Sequence, residues 1–115
     1  MKSRIRRSLR ARRPTDKPCR RRAWRGELGI RAGTAAIAEA RGRLEEAASA
    51  YGLVAEGWEG YGSGSETLFA LLKRARCFDA LGLGADRRAA AEAAMHLAEG
   101  FGATPLIEFA RALAR

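Results

Sequence analysis

The chain has 115 residues, enough for one small folded domain. Its 22 Lys and Arg against 13 Asp and Glu give a formal net charge of +9. The sequence contains no run of roughly 20 apolar residues, which is the length that a membrane-spanning helix needs. One His and two Cys without a C-x-x-C spacing do not form a metal-ligand pattern or a disulfide framework. We therefore expect a cytoplasmic protein with no cofactor, metal or membrane span.

The positive charge is confined to the N-terminus. Residues 1–25 contain twelve Lys or Arg and one Asp, a net +11, whereas residues 26–115 contain ten basic and twelve acidic residues, a net −2. Dense like charge with few apolar residues, interrupted by Pro14 and Pro18, predicts a disordered tail. The sequence thus divides into a tail, residues 1–25, and a body, residues 26–115.

Three interpretations of the tail stay open. It is an arm that neutralises nucleic-acid phosphates, an Arg-rich targeting peptide, or an extension without function that results from the choice of start codon. For the first, the candidate nucleic-acid contacts are Arg4, Arg6, Arg7, Arg10, Arg12, Arg13, Arg20, Arg21 and Arg22.

The body begins with a predicted short helix that Thr34 caps and Gly42 ends. The second helix has the clearest apolar stripe, which runs from Leu44 to Tyr61 at 3- and 4-residue spacing. Gly60 and Gly62 then allow a turn with positive φ.

The third helix opens with Ser63 and Glu66, which have the spacing of a capping box, and ends at Gly82. Asp86 is the expected N-cap of an Ala-rich fourth helix, and Thr104 followed by Pro105 starts the fifth. No segment alternates apolar and polar residues over the length of a strand. The sequence therefore predicts five helices and no sheet.

A stretch of the body occurs twice, forty positions apart. Glu59-Gly60-Tyr61-Gly62 returns as Glu99-Gly100-Phe101-Gly102, and Glu39-Ala40-Arg41-Gly42 returns as Asp79-Ala80-Leu81-Gly82. A fixed period of this size is typical of stacked helical hairpins, which cannot bury their apolar faces alone. We expect an all-α fold of two antiparallel hairpins plus a terminal helix. Its predicted packing residues are Ala47, Tyr51, Trp58, Ala91, Met95 and Phe101.

Three features suggest chemistry but have simpler interpretations. Residues 60–65 look like a phosphate cradle, but a helix rather than a strand precedes them, so we interpret them as an interhelical turn. His96 lies near Glu92 and Glu99 without a nucleophile and is expected on a solvated face. Trp58 and Tyr61 are either a binding anchor or, as their spacing favours, part of the core. The sequence therefore favours a protein without catalytic activity.

Part of the body resembles a known family. The run from Ala38 to Ala48, followed by Tyr51 and Trp58, is similar to a tetratricopeptide hairpin. Arg76-Cys77, Ala80-Leu81-Gly82 and the closing residues 102–106 resemble the C-terminal helical repeats of large bacterial regulators, the LuxR-type ATP-binding activators and the cyclase-linked ATPases. The resemblance covers about residues 33–115 and implies a fragment of a right-handed tetratricopeptide-like solenoid.

The chain departs from that family in its period of forty rather than thirty-four. It also lacks the family's phosphate loop and a helix-turn-helix. The resemblance therefore implies packing residues but no nucleotide or DNA site. Our leading hypothesis is a non-catalytic segment of a bacterial signalling or transcriptional regulator that contacts a partner protein, further repeats or a second copy. The alternative is a small nucleic-acid-binding protein that uses its Arg-rich tail.

Overall fold

The computed structural model describes the backbone of residues 13–115 and the side chains of residues 25–115. Five α-helices occupy this part of the chain, with no strand among the described residues: α1 (Arg13–Ala40), α2 (Leu44–Tyr61), α3 (Gly64–Leu81), α4 (Gly84–Phe101) and α5 (Thr104–Ala114). Consecutive helices pack against each other as a series of hairpins. The predicted all-helical class is therefore confirmed.

All four connections between helices have the same geometry. Gly42, Gly62, Gly82 and Gly102 each adopt a positive φ, between 69° and 91°. At each turn the Gly N–H donates to the carbonyl three residues earlier, and the next N–H donates to the carbonyl five residues earlier. This pair of bonds is the Schellman motif, which satisfies carbonyls at the end of the helix. The structural unit is thus one helix and one turn, twenty residues long, and the forty-residue sequence repeat spans two units.

The helix starts differ from the sequence predictions at three places. Ser63 is the N-cap of α3, as predicted, but its side chain makes no capping hydrogen bond. Leu83 rather than Asp86 is the N-cap of α4, and Asp86 lies in the first turn, where the helix dipole favours an acid. Ala103 rather than Thr104 precedes α5. The Schellman turns fix where each helix starts because they leave only two or three residues between helices.

The first helix is much longer than predicted. It runs through Thr34, whose hydroxyl donates to the Ile30 carbonyl (3.0 Å) from within the helix, so the prediction of an N-cap there was wrong. It is described from Arg13 onward and so includes the backbone of residues 13–25, while the expected boundary between tail and body at residue 26 stays a prediction. Residues 1–12 lie outside the described part of the chain.

Two sets of buried residues hold the helices together, and α3 contributes to both. Toward α1 and α2, Ala70 and Cys77 pack in clusters that contain Tyr51 and Trp58. Toward α4 and α5, Leu68, Leu72 and Ala75 pack mainly on alanines: Ala90, Ala91, Ala94, Ala98 and Ala110. Alanine-rich faces let helices lie close together, and α3 becomes the helix buried on two sides.

A glycine marks the close approach of α1 to α2. A Cβ placed on Gly57 would lie 2.4 Å from a methyl carbon of Leu28, closer than any real contact. Leu28 is buried here with Val54, Ala55 and Trp58. The absence of a side chain at Gly57 therefore makes the space that Leu28 fills.

Candidate functional site

A cluster of hydrogen-bonded polar side chains joins the first three helices. Glu39 at the end of α1 accepts two hydrogen bonds from the Arg76 guanidinium of α3, at 2.7 and 2.9 Å. The Tyr51 hydroxyl of α2 donates to the same carboxylate at 2.9 Å. Bidentate Arg–carboxylate pairs are stronger and more directional than other ion pairs. This cluster fixes the mutual positions of α1, α2 and α3.

The cluster shifts the pKa values of its members. The hydrogen bond from Arg76 holds the pKa of Glu39 below its usual value, although partial burial opposes the shift. Burial, and then the bond to Glu39, raise the pKa of Tyr51 to about 12. Burial also raises the pKa of the neighbouring Cys77 thiol. A phenol and a thiol that stay protonated are poor nucleophiles, so we interpret this cluster as structural. We call the hydrogen-bonded group of Glu39, Tyr51 and Arg76 the clasp.

Two further cations tether helices through backbone carbonyls. Arg74 of α3 donates to the Ala48 carbonyl of α2 at 3.1 Å and lies over the Phe78 ring, 5.1 Å from its centroid. Arg87 of α4 donates to the Leu113 carbonyl of α5 and lies 3.7 Å from Asp79. From helical spacing alone, Lys73, Arg74 and Arg76 are expected on the side of α3 opposite its apolar face. The structure instead directs Arg74 and Arg76 onto neighbouring helices, and no local sequence signal distinguishes such tethers from solvated cations.

A separate open groove of about 790 Å³ lies over α3, between the last turn of α2 and the middle of α4. Its apolar lining includes Leu71 of α3 and Ala89, Ala93 and Leu97 of α4. Glu59, Glu92 and His96 line it as well, and all three are exposed. A concave surface with apolar lining and a few polar groups is the usual form of a binding site. The sequence predicted no groove, because α2 and α4 are brought to its two sides only by the turns.

The predicted packing residues are mostly buried. Ala47, Tyr51, Trp58 and Ala91 lie in the core, and Met95 packs partly buried against the α3–α4–α5 cluster. Phe101 is the exception, since 55% of it is exposed. Its ring covers Gly64, where an added Cβ would lie 2.8 Å from the ring edge. Phe101 therefore packs against the start of α3 while much of its surface stays exposed.

The structure does not bring the other candidate residues together into one cluster. Gly62 and Ser63 form the turn between α2 and α3, within the turn predicted at residues 60–65. The His96 side chain is 89% exposed, with its Nδ1 atom 4.0 Å from Glu99. Trp58 is a core residue, with its ring in an edge-to-face contact with Tyr61 at 5.8 Å. Within the described residues, no group of three or more potential ligands could hold a metal ion.

The candidate nucleic-acid contacts fall largely outside what the structure describes. Arg4, Arg6, Arg7, Arg10 and Arg12 precede the described residues. The backbone of Arg13, Arg20, Arg21 and Arg22 lies in α1. The role of these arginines stays a prediction.

In the described part of the chain, no helix is both long enough and apolar enough to cross a membrane. No protein-family model, curated protein or solved structure matches the chain.

Proposed function

We propose that this chain is a non-catalytic, tetratricopeptide-like helical-repeat segment that mediates protein–protein contact, and that it derives from a bacterial signalling or transcriptional regulator. The observation that carries the proposal is the open groove over α3, which the described side chains leave unfilled. Support also comes from the four identical turns, because a regular array of helices is a common scaffold for extended binding surfaces.

The groove favours a particular partner chemistry. Its apolar lining suits the nonpolar face of a peptide or helix, and Glu59 and Glu92 suit flanking Lys or Arg side chains. The proposed partner is therefore a protein segment with apolar residues flanked by basic ones.

A blocking substitution tests this proposal. Ala93→Arg places a long side chain in the groove, whereas Ala112→Arg adds the same side chain to an exposed position on α5 that does not line it. Both full-length variants and the wild type are immobilised, and proteins retained from a lysate of the source cells are identified by mass spectrometry.

A partner that the wild type and Ala112→Arg retain in high salt, and that Ala93→Arg loses, would support the groove. Equal retention by all three chains, or no retained protein, would contradict it.

The alternative function, nucleic-acid binding through the tail, follows from the net charge of +11 in residues 1–25. Its test is fluorescence anisotropy of the full chain with labelled duplex and single-stranded DNA over a salt series. Phosphate contacts predict an affinity that falls steeply as salt rises. Affinity that is absent, or insensitive to salt, would rule out the arm.

A further inference from the structure

The outward face of α1 carries an apolar seam that nothing in the described chain covers. Ile30 and Ile37 are 72% and 54% exposed, and a Cβ added at Gly26 or Gly33 would meet no atom within 4 Å. The opposite face of the same helix carries Leu28, Ala35 and Ala38 and is buried. An exposed apolar face of this kind is characteristic of an interaction surface.

The spacing of the seam is that of a coiled coil. Gly26, Ile30, Gly33, Ile37 and Ala40 follow one another at intervals of 4, 3, 4 and 3 residues, and all five are exposed. This is the a/d pattern of the heptad repeat, with Ile at the a positions and Gly or Ala at the d positions. No seam residue is charged, so a partner helix would bury no charge on it.

The sizes of these side chains favour a second copy of α1 as the partner, and they favour antiparallel over parallel packing. A parallel pair of identical helices places Ile against Ile and Gly against Gly, which leaves gaps at every glycine layer. In an antiparallel pair, a positions face d positions. Ile30 then lies against Gly33 of the second copy while Ile37 lies against Gly26, and two-fold symmetry repeats both contacts. The seam is therefore complementary to itself.

The charges beside the seam agree with this arrangement. Glu27, which also pairs with Arg31 of its own chain at 3.2 Å, lies along the edge of the seam next to its d positions, and Arg41 continues this edge in the turn after α1. In the antiparallel pair, Glu27 of one copy lies five residues along the axis from Arg41 of the other, a separation that long side chains span. Opposite charges at this edge favour association and orient it.

We propose that the outward face of α1 is a homodimer interface, in which two copies of this chain pack antiparallel through Ile30 and Ile37. This surface is distinct from the groove over α3, so failure of one proposal leaves the other standing. The overlap of residues 26–40 is only about 22 Å long. Such a contact is small beside a standard interface, so the dimer is expected to be weak and in exchange with monomer.

Sedimentation equilibrium of the full chain under reducing conditions tests the interface. The wild type should show an average mass that rises from monomer toward dimer as concentration reaches the millimolar range. Ile37→Glu buries an unpaired carboxylate in the interface and should weaken dimerisation by at least about tenfold. Leu53→Glu changes an equally exposed apolar residue on α2 and should behave as the wild type.

A wild type that stays monomeric throughout, or an Ile37→Glu chain that dimerises normally, would overturn the proposal. Because Ile37 is exposed in the single chain, this variant tests association rather than folding. Gly33→Glu provides a second check: its side chain meets open space in the monomer but places a carboxylate against Ile30 of the second copy in the dimer, so dimerisation should weaken while the helical signal stays intact.

Oxidative cross-linking determines the direction. Ile30→Cys and Gly33→Cys chains, each also carrying Cys19→Ser, are mixed and oxidised. The intact masses of the products are then measured by mass spectrometry. The antiparallel dimer predicts disulfides between the two different chains. Disulfides formed mainly between two Ile30→Cys chains would show a parallel pair and refute the proposed packing.

Discussion

At the scale of single residues, one carboxylate forms hydrogen bonds to two other helices. Glu39 lies in the last turn of α1. Its carboxylate accepts hydrogen bonds from the Tyr51 hydroxyl of α2 and from the Arg76 guanidinium of α3. Its neighbours lie 12 and 37 residues away in sequence. Tyr51 could be predicted as a buried residue because it lies on a regular apolar stripe. Its bond to Glu39 could not, because no periodicity links a tyrosine to a carboxylate on the preceding helix.

The clasp predicts a specific loss of stability in acid. Because the folded-state pKa of Glu39 is lowered, its contribution is complete above its usual value of 4.5 and is lost as the pH falls through the lower, folded-state pKa. Glu39→Gln should lower the free energy of unfolding by about 1 kcal/mol at neutral pH, since Arg76 is half exposed. The variant should also lose less stability on acidification.

Chemical denaturation at a series of pH values measures both effects. Glu45→Gln, at an exposed carboxylate in the first turn of α2, is the matched control and should keep the acid dependence of the wild type. If Glu39→Gln shows the same acid dependence as the wild type, the clasp does not contribute as described.

At the scale of helices, the Schellman turns set the architecture. Each places a glycine in the left-handed region within a connection of two or three residues, so neighbouring helices must lie side by side. The N-caps contribute little to this regularity, because none of the four at Arg43, Ser63, Leu83 and Ala103 makes a side-chain capping bond.

Substitution by alanine should have opposite effects on stability at two glycines near helix ends. Gly82 has a φ of 75°, so Gly82→Ala should destabilise the protein by about 1 kcal/mol. Gly100 lies within α4, where an added Cβ meets nothing within 4 Å, so Gly100→Ala should stabilise it by about 0.5–1 kcal/mol. Thermal unfolding followed by circular dichroism compares the pair, and a stabilising Gly82→Ala would refute the role given to the turn.

At the scale of the whole molecule, α3 connects two otherwise separate cores. The core toward α1 and α2 has aromatic residues, whereas the core toward α4 and α5 depends on a few leucines packed on alanine. Leu68 and Leu72 are the large apolar side chains of the second core that are buried rather than partly exposed, so each should have a large effect on stability. The alanines fill space without offering much apolar area.

Leu68 should therefore be critical to the α3–α4–α5 core. It is 1% exposed among Ala94, Ala98 and Ala110, so Leu68→Ala should leave a cavity and cost about 2–5 kcal/mol. Leu53→Ala, on the exposed side of α2, should stay within about 0.5 kcal/mol of the wild type. Urea unfolding measures both, and equal values would indicate that α4 and α5 pack loosely on α3.

Within the described residues, the sequence by itself determined the all-helical class, the glycines that end the helices and most of the buried residues. These depend on local physics: apolar residues at 3- and 4-residue spacing select a helical face, and only glycine readily adopts the left-handed conformation of the turns. The tertiary structure decided the full length of α1, the tethering roles of Arg74 and Arg76, the exposure of Phe101 and the groove over α3. Each of these depends on which helices become neighbours in space, and the local pattern of residues does not encode those distances.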